Sequence, residues 1–401
     1  MTATRLIKCI CLFTGLSSAL GFAPVIADSL DCAQKVSLHC GNTPSATFDD
    51  DGTLWVAFEY HDHVYVTSSD DQGQSFSEAT AVNALPEKIY ARGENRPKIA
   101  VGDSNRLFVS WTHQRPERFS GDIRFAYSSD GGYTFSVPIT VNNDGLITSH
   151  RFDALYVADT GDVFVSWLDK RDQVRVRAMG EHYHGAALYY AVSNDGGESF
   201  TDNYKVADHS CECCRIAVTG SGPDKAKVMW RHIFDTNTRD HAAAVLSADG
   251  SSTMVRGTRD DWQIDACPHH GPSMAASNTE GVSHIAWFSD GSRHRGLYYK
   301  TLNIEQPMQA EPRLMDDRPG AGHPQIASAG DRTVYLWKFF DGKQAQLLAA
   351  TSEDDGVSWG ERINVMSTAG GSDHPQLVTL DQRIFAAWHS DNEGFRFVEL
   401  Q

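Results

Sequence analysis

The sequence repeats one pattern seven times, and this repeat is the strongest constraint on how the chain can fold. Each copy is a short run of β-forming residues that ends in a large aromatic side chain. The runs are Leu54–Phe58, Leu107–Trp111, Val163–Trp167, Lys227–Trp230, His284–Trp287, Val334–Trp337 and Ile384–Trp388. Their aromatics follow one another at intervals of 50 to 63 residues. A period near fifty residues is typical of β-propeller blades, which bury their faces only against neighbouring blades.

A second short strand precedes each of these runs, and proline commonly opens it. The openings are Thr43-Pro44, Arg96-Pro97, Arg151-Phe152, Cys213-Cys214, Gly271-Pro272, His323-Pro324 and His374-Pro375. Proline is tolerated at the first position of a strand because no ladder hydrogen bond needs its N–H there. Since the strands of a blade alternate in direction, all seven openings lie on one face, here called the top face. We expect the central mouth of this face to bind the ligand.

In four units the third strand runs into the same turn. The turns are Ser69–Phe76, Ser128–Phe135, Ser193–Phe200 and Ser352–Trp359, with a degenerate copy at Ser247–Gly250. In the shared pattern Ser-x-Asp-x-Gly-x-x-aromatic, the Asp accepts from turn amides, the Gly permits a positive φ and the aromatic holds the turn against the blade. These turns resemble the Asp boxes of the sialidase-like β-propellers, and the repeat covers residues 34–400.

The resemblance implies an all-β fold, a β-propeller of four-stranded blades that occupies residues 28–401 as one domain. Seven units predict seven blades; six is the alternative if one unit is irregular, since sialidases are usually six-bladed. The last unit, His374–Leu400, supplies only three strands. We therefore predict that an N-terminal strand, Gln34–Leu38, closes the ring as the missing fourth strand and protects the sheet edges.

Residues 1–27 predict a cleaved signal peptide. Arg5 and Lys8 give it a positive start, Cys9–Phe22 is apolar, and Val25-Ile26-Ala27 offers small residues at the cleavage position. The apolar run is too short and too interrupted to span a bilayer. The mature protein is therefore expected to begin near Asp28 and to be periplasmic or secreted.

The charge of the chain limits its partners. Removal of the leader takes away two basic residues and no acidic one, so the net charge falls from −17 to −19. Such an acidic protein repels nucleic acid and anionic membranes. The predicted partners are a metal ion or a small-molecule or glycan ligand, without nucleic acid and without a membrane span, and the protein is expected to be a monomer.

Four of the six cysteines that remain after cleavage lie in two short segments, Cys211-Glu212-Cys213-Cys214 and Cys267-Pro268-His269-His270. The segments open blades four and five, so the fold places them side by side. In extended geometry Cys211 and Cys213 point the same way and Cys214 points the opposite way. The metal-ligand candidates are Cys211, Cys213, Cys214, Cys267, His269 and His270. The favoured set is Cys211, Cys213, Cys267 and one histidine, which suits zinc or Cu(I).

Disulfide bonds are the alternative, since thiols in an exported protein are commonly paired. A bond between Cys214 and Cys267 would join blades four and five, but it would leave Cys213, and adjacent cysteines rarely pair without strain. Cys32 and Cys40 flank the predicted closing strand. An extended strand at about 3.3 Å per residue keeps them too far apart to bond, and Cys40 would then lie on the top rim near the cluster. A bond between them would mean that the closing strand is misplaced. One disulfide with a smaller Cys/His site is a mixed outcome.

The top face also resembles the active site of sialidases. In that family the arginine of an Arg-Ile-Pro segment binds the sugar carboxylate, and a later aspartate is the general acid. Arg96-Pro97-Lys98-Ile99 and, 26 residues after Arg96, Asp122 occupy those positions, while Met229-Trp230-Arg231 resembles a second arginine segment. The resemblance implies catalytic roles for Arg96, Asp122 and Arg231 in an exo-sialidase-type glycoside hydrolase.

The sequence departs from sialidases at the nucleophile. The family's tyrosine near the start of a late blade has no counterpart in Gly322-His323-Pro324 or Asp373-His374-Pro375. Without the nucleophile, retaining hydrolysis loses its covalent step. The strand-opening residues Arg151, His323 and His374 are instead predicted to bind ligand. Alternatively, the arginines at 96 and 151 form structural ion pairs with Asp153 or Glu94.

Three functions therefore stay open. The first is the binding of a soft metal ion, copper or zinc, and/or a ligand at the central mouth. The second is glycan hydrolysis of the exo-sialidase type, and the third is a non-catalytic interaction scaffold joined by disulfides. The sequence favours the first, because a disulfide explains neither the adjacent thiols nor the two flanking histidines.

Overall fold

Seven antiparallel sheets follow one another along the chain in a computed structural model that describes residue 32 and residues 34–401, except 236, 308 and 309. Blades one to three contain β1 (Asn42–Phe48), β2 (Leu54–Tyr60), β3 (His63–Ser69), β4 (Thr80–Ala81), β5 (Lys98–Gly102), β6 (Arg106–Gln114), β7 (Gly121–Ser128), β8 (Ile139–Thr140), β9 (His150–Val157), β10 (Val163–Asp169), β11 (Ala186–Ser193) and β12 (Tyr204–Ser210). Blade three also carries a helix, α1 (Arg171–Ala178), and short 3-10 turns lie at Leu38–Cys40 and Asp103–Asn105.

The later blades keep the same order. They contain β13 (Ala217–Gly220), β14 (Ala226–Arg231), β15 (His241–Ser247), β16 (Gly250–Ser251), β17 (Val255–Arg256), β18 (Ser273–Ala276), β19 (Val282–Asp290), β20 (Arg295–Asn303), β21 (Arg313–Asp316), β22 (Ala321–Ala329), β23 (Arg332–Phe340), β24 (Ala345–Ser352), β25 (Ile363–Thr368), β26 (Gln376–Leu380), β27 (Arg383–Ser390) and β28 (Gly394–Leu400). In blade four, β16 and β17 both pair with β15. The seven-bladed propeller is confirmed.

The repeated aromatics explain why the blades form where they do. Each lies in the second strand of its blade, and none is more than 1% exposed: Phe58, Trp111, Trp167, Trp230, Trp287, Trp337 and Trp388. Burying so large a side chain is worth about 1.5–3 kcal/mol, so each repeat fixes one packing point between sheets. The predicted positions of all seven second strands are confirmed.

The predicted closing strand at 34–38 is wrong. Residues 38–40 form a 3-10 turn, and within the described part of the chain the sheet of blade seven has three strands. Blade one packs directly on blade seven: the Ala46 amide donates to Gln376 Oε1 at 3.2 Å, and the rings of Phe48 and Phe385 are 5.2 Å apart. Side-chain packing therefore closes the ring without a paired fourth strand.

Cys32 and Cys40 are disulfide-bonded, contrary to the separation that an extended strand would impose. The physical reason is local, since Leu38–Cys40 curls into a turn in which the Gly41 amide donates to Leu38 O at 3.1 Å. Cys40 is therefore not available to the thiol cluster on the top face. The predicted signal peptide lies outside the described residues. Among those described, no helix has the length and apolar character to cross a membrane.

The four complete Asp boxes share one hydrogen-bond pattern. In the box of blade two, Asp130 accepts from the Ser128 hydroxyl at 2.7 Å, the Thr134 amide at 2.9 Å and the Thr134 hydroxyl at 2.6 Å. The Gly132 amide donates to Ser128 Oγ at 2.9 Å, and the φ of +79° at Gly132 is one that glycine adopts without strain. These bonds join residues within one turn, which is why the motif can be identified from sequence alone.

Acid should weaken these turns. The hydroxyl of Thr134 and its amide lower the pKa of Asp130 from 3.8 to about 2, because they bind the ionised form. A lowered folded-state pKa stabilises the protein fully above the ordinary value of 3.8, and this contribution is lost as the pH falls toward 2. We expect carboxyl-carbon NMR to place the Asp130 midpoint near 2, and the stability of Asp130→Asn to fall less over this window. A midpoint near 3.8 would contradict the hydrogen-bond pattern.

Candidate functional site

The cysteine-rich segment that opens blade four is a turn between β12 and β13. Its start is anchored to β14, because the Cys211 amide donates to Arg231 O at 2.9 Å. The sulfurs converge: Cys211 Sγ lies 3.6 Å from Cys213 Sγ and 3.8 Å from Cys214 Sγ, and all three are buried. The prediction that Cys214 points away from the other two is wrong, because the segment turns where an extended strand was assumed.

Cys267 completes the thiol cluster, which comprises Cys211, Cys213, Cys214 and Cys267. Its thiol interacts with that of Cys213, which lowers the pKa of Cys267, and Cys267 is the one exposed member of the four. All four are free thiols in this structure, so the Cys214–Cys267 bond is not formed. His269 is exposed, and the ring of His270 stacks on Phe288 at 4.2 Å. The structure therefore places Cys214 beside the sulfurs of Cys211 and Cys213, and it places neither His269 nor His270 there.

Positive charge surrounds the cluster. Arg239 Nη1 donates to Cys211 Sγ at 3.2 Å. Hydrogen bonds from the Cys213 and Cys214 thiols, aided by Arg239 and Arg231, hold the pKa of Cys211 well below its usual range. The hydrogen bond that Cys213 gives to Cys211 raises the pKa of Cys213, and burial raises that of Cys214. The arrangement therefore favours the thiolate form of Cys211, whose sulfur lies beside an arginine donor and two other cysteine sulfurs.

Arg96 lies at the top of blade two, and protein acceptors occupy its guanidinium. Its Nε donates to Gly93 O at 2.9 Å, Nη1 to Pro44 O at 3.0 Å, and Nη2 to Asp373 at 2.8 Å. The partner of its ion pair is thus Asp373, where the sequence suggested Asp153 or Glu94. The donors of Arg96 tie blades one, two and seven together.

Arg231 is held in the same way between blades four and five. Its Nη1 donates to Arg239 O at 2.7 Å, and Nη2 donates to His270 O at 3.0 Å and Phe288 O at 2.9 Å. Its guanidinium lies 4.7 Å from the ring centroid of Trp262. The side chain joins two blades and is 1% exposed.

Asp122 and Arg151 have partners of their own on the protein. Asp122 forms an ion pair with Arg115, whose Nε lies 2.9 Å from Oδ2, and accepts from Asn142 Nδ2 at 3.2 Å; among the described residues it forms no hydrogen bond with Arg96 or Arg231. Arg151 donates from Nε to Ser149 Oγ at 2.9 Å, with its guanidinium 5.2 Å from the Tyr90 ring centroid. Among the described residues, no hydrogen bond or ion pair joins the predicted sialidase residues Arg96, Asp122 and Arg231 to one another.

Sequence reasoning missed the role of Glu94, a buried carboxylate on the top face. It accepts from Arg215 Nη1 at 2.8 Å, the Gly271 amide at 3.1 Å and His323 Nδ1 at 3.4 Å. Arg215 in turn donates to Pro272 O at 2.7 Å and Pro324 O at 2.5 Å. Burial opposes ionisation of Glu94, but Arg215 and His323 outweigh it and hold its pKa well below the usual range. Glu94 and Arg215 thus join blades two, four, five and six. From the sequence, Glu94 entered only as an alternative ion-pair partner of the arginines at 96 and 151.

A second group of potential metal ligands lies in blade three and is bound to a neighbouring arginine. Asp144, His150 and Asp169 lie close together in blade three. His150 Nε2 is 3.2 Å from Asp144 Oδ1, and Arg171 Nε donates to Asp169 Oδ2 at 2.8 Å. This group forms a buried ion network that anchors the start of α1.

Comparisons with known proteins agree with this architecture. No protein-family model matches the sequence, and no curated protein matches it. An ulvan lyase matches with a TM-score of 0.55 and 14% identity over 90% of this chain and 93% of that one. An α-L-arabinanase from Penicillium chrysogenum matches with a TM-score of 0.52 and 12% identity over 80% and 94%. A protein of unknown function from Dyadobacter fermentans matches with a TM-score of 0.50 and 12% identity over 75% and 90%.

Seven blades with Asp boxes on four of them, together with these matches, settle the fold. The chain is a seven-bladed β-propeller. Two of the matched structures are glycan-acting enzymes by their names, the ulvan lyase and the arabinanase. At such low identity the likeness establishes the fold alone, so what this propeller does must be inferred from its own residues.

Proposed function

We propose that the protein binds a soft metal ion, Cu(I) or Zn(II), through the thiolates of Cys211, Cys213 and Cys214, with Cys267 as the fourth sulfur. The spacing of the sulfurs carries the proposal. A tetrahedral site with metal–sulfur bonds of about 2.3 Å has its sulfurs about 3.8 Å apart. The observed separations from Cys211 Sγ are 3.6 Å and 3.8 Å. A disulfide would bring two sulfurs to about 2.05 Å.

The surroundings of the thiol cluster suit a thiolate-bound ion. Three thiolates carry more negative charge than Cu(I) or Zn(II) neutralises, and Arg239 and Arg231 offset the excess. Arg239 also donates directly to Cys211 Sγ, the kind of outer hydrogen bond that orients a ligand and tunes its basicity. Burial of three sulfurs keeps water from competing for the ion.

The exposure of Cys267 gives the ion a route into the site. Cys267 lies at the surface, and its thiol is next to the buried Cys213. A metal ion captured from solvent by Cys267 can pass to Cys213 and then to Cys211 and Cys214 by exchange of one thiolate ligand at a time. The protein then acts as a metal-binding or metal-delivering protein outside the cytoplasm.

Metal analysis of the exported protein tests the proposal. We expect about one equivalent of copper or zinc per chain, and X-ray absorption should show sulfur scatterers at about 2.3 Å. After denaturation in chelator without oxygen, all four thiols of the cluster should react with a thiol reagent. Protein that contains these cysteines as disulfides and carries no metal would overturn the proposal.

The glycan-hydrolysing alternative has less support from the site. Its arginines, Arg96 and Arg231, already donate to protein oxygens, so a sugar carboxylate would have to displace those bonds. We expect no release of sialic acid from a fluorogenic substrate by the wild-type protein. Turnover that disappears in Arg96→Ala would restore this alternative.

A further inference from the structure

The start of β9 and the end of β10 place a histidine beside an aspartate on the top face. His150 and Asp169 are cross-strand neighbours in blade three, and Asp144 comes from the loop that joins β8 to β9. The ligand atoms of these three side chains all lie within 4.8 Å of one another. Each of the three side chains is 0% exposed. They are here called the blade-three cluster.

A hydrogen bond to the backbone fixes how the imidazole of His150 faces the two carboxylates. Its Nδ1 lies 2.8 Å from Gly121 O, and because a carbonyl oxygen can only accept, Nδ1 carries a hydrogen. Nε2 then faces Asp144 and Asp169, whose oxygens are acceptors when ionised. A positive charge must therefore lie between Nε2 and the carboxylates, either a proton or a metal ion. Metal-binding histidines commonly donate their other ring nitrogen to a backbone carbonyl in this way.

The distances in the blade-three cluster distinguish an ion from a proton. His150 Nε2 lies 3.2 Å from Asp144 Oδ1, 3.3 Å from Asp144 Oδ2 and 3.7 Å from Asp169 Oδ1. A charge-assisted N–H···O bond is shorter, about 2.7–2.9 Å. The buried pair His284–Asp355 in this protein reaches that range, at 2.9 Å. A tetrahedral ion with bonds of about 2.0–2.2 Å holds its nitrogen and oxygen ligands about 3.4 Å apart, so the observed spacing fits an ion.

The two carboxylates keep oxygen atoms that an ion can use. Asp144 Oδ1 is buried and accepts no hydrogen bond from the described residues, and an unmet buried acceptor points to a missing ion or water. The Arg171 guanidinium is bound to the far oxygen of Asp169, with Nε and Nη2 at 2.8 Å and 2.7 Å from Oδ2, and its Nε is 3.6 Å from Asp144 Oδ2. In the described part of the chain, Asp169 Oδ1 accepts only from the Arg171 amide. Asp144 Oδ1 and one lone pair of Asp169 Oδ1 therefore stay available.

The surrounding charges are compatible with a cation. Asp122 lies 3.7 Å from His150 Nδ1 and is paired with Arg115. Three carboxylates thus surround one imidazole, and two arginines, Arg115 and Arg171, are paired with them. With the ring neutral, three negative charges against two positive ones leave an excess of one negative charge. Both a proton and a divalent ion offset this excess, and the distances favour the ion.

We propose that Asp144, His150 and Asp169 form a second metal site, which takes a divalent cation with nitrogen and oxygen ligands, Mn²⁺ or Zn²⁺. Carboxylates suit Mn²⁺ and imidazole suits Zn²⁺, whereas thiolates select softer ions. The bound ion would join the β8–β9 loop to the ends of β9 and β10. Ile147 in this loop is 58% exposed, so a local opening of the loop can admit the ion. The site shares no ligand with the thiol cluster and does not depend on it.

Manganese binding by the full chain tests this site, because thiolates do not select Mn²⁺. Chelator-treated protein in physiological salt is titrated with Mn²⁺, and the EPR signal of the free ion is followed. We expect about one bound equivalent in the wild type and an affinity at least about 100-fold lower in Asp144→Asn, which loses a ligand. Asp172→Asn is the matched control: it removes a carboxylate of α1 that binds Tyr189 and Lys205, and it should bind Mn²⁺ as the wild type does.

The outcomes separate this site from the thiol cluster. Cys213→Ser should bind Mn²⁺ as the wild type does. Because Asp144→Asn can fail to fold, ¹¹³Cd NMR of the wild type provides an independent readout. It should show one strongly deshielded sulfur-bound resonance and one at much higher field from nitrogen and oxygen ligands. The higher-field resonance alone would support this site while removing the thiol proposal. A wild type that shows neither Mn²⁺ binding nor that resonance would overturn the site, as would a folded Asp144→Asn variant with wild-type affinity.

Discussion

Replacing Glu94 with glutamine should lower the free energy of unfolding by about 3–5 kcal/mol, as expected when one partner of a buried ion pair is removed. The side chains of Glu94 and Arg215 are 4% and 13% exposed, and their charged atoms lie 2.8 Å apart. The substitution leaves the Arg215 guanidinium buried without a counter-charge. Urea unfolding followed by tryptophan fluorescence measures the change. Glu393→Gln, which removes a half-exposed carboxylate from Arg396, should cost less than about 1 kcal/mol.

The pH dependence of the same variant provides a second measurement. The folded-state pKa of Glu94 is held well below its ordinary value of 4.5. Its stabilisation is therefore fully present above pH 4.5 and is lost as the pH falls through the folded-state pKa. Glu94→Gln should lack this component of acid destabilisation. Equal acid sensitivity in variant and wild type would show that Glu94 does not carry the charge we assign to it.

Cys213→Ser should weaken binding of Cu(I) or Zn(II) by at least about 100-fold. Loss of a residue that only hydrogen-bonds to a metal ligand already lowers metal affinity by about 10–100-fold, and Cys213 is itself a proposed ligand. Cys213 is the sulfur that connects exposed Cys267 to buried Cys211, so its loss removes both a ligand and the route inward. Competition with a chromophoric chelator measures the affinity. A hydroxyl is a poor ligand for a soft ion, so serine does not restore the site.

A matched control separates ligand loss from disturbed packing. Met229→Leu changes a fully buried sulfur-containing side chain in the same blade while keeping its volume, and it leaves every thiol in place. Its metal affinity should equal that of the wild type. If Met229→Leu and Cys213→Ser weaken binding equally, the cluster acts through the packing of blade four and the thiolates are not the ligands.

The site could be predicted only in part from the sequence. The two segments that hold the thiols were correctly placed side by side, because neighbouring blades open on the same face. Their internal geometry was not predictable: an extended segment would point Cys214 away, but a turn brings its sulfur to within 3.8 Å of Cys211. The ring of His270 was likewise expected near the sulfurs, but it packs against Phe288 and His323. Its position therefore depends on side chains from two other strands.

The sequence by itself determined the seven blades and their Asp-box turns, because each depends on interactions within one repeat. The hydrogen bonds of Asp130 reach only four residues along the chain, and each buried aromatic recurs at its own blade. Only the tertiary structure decided what lies at the mouth. Glu94 contacts Arg215 across 121 residues and His323 across 229, and ring closure by side-chain packing replaced the strand expected at 34–38. Contacts between distant repeats leave no periodic signal in the sequence, because the residues that form them do not recur at the same position in the other repeats.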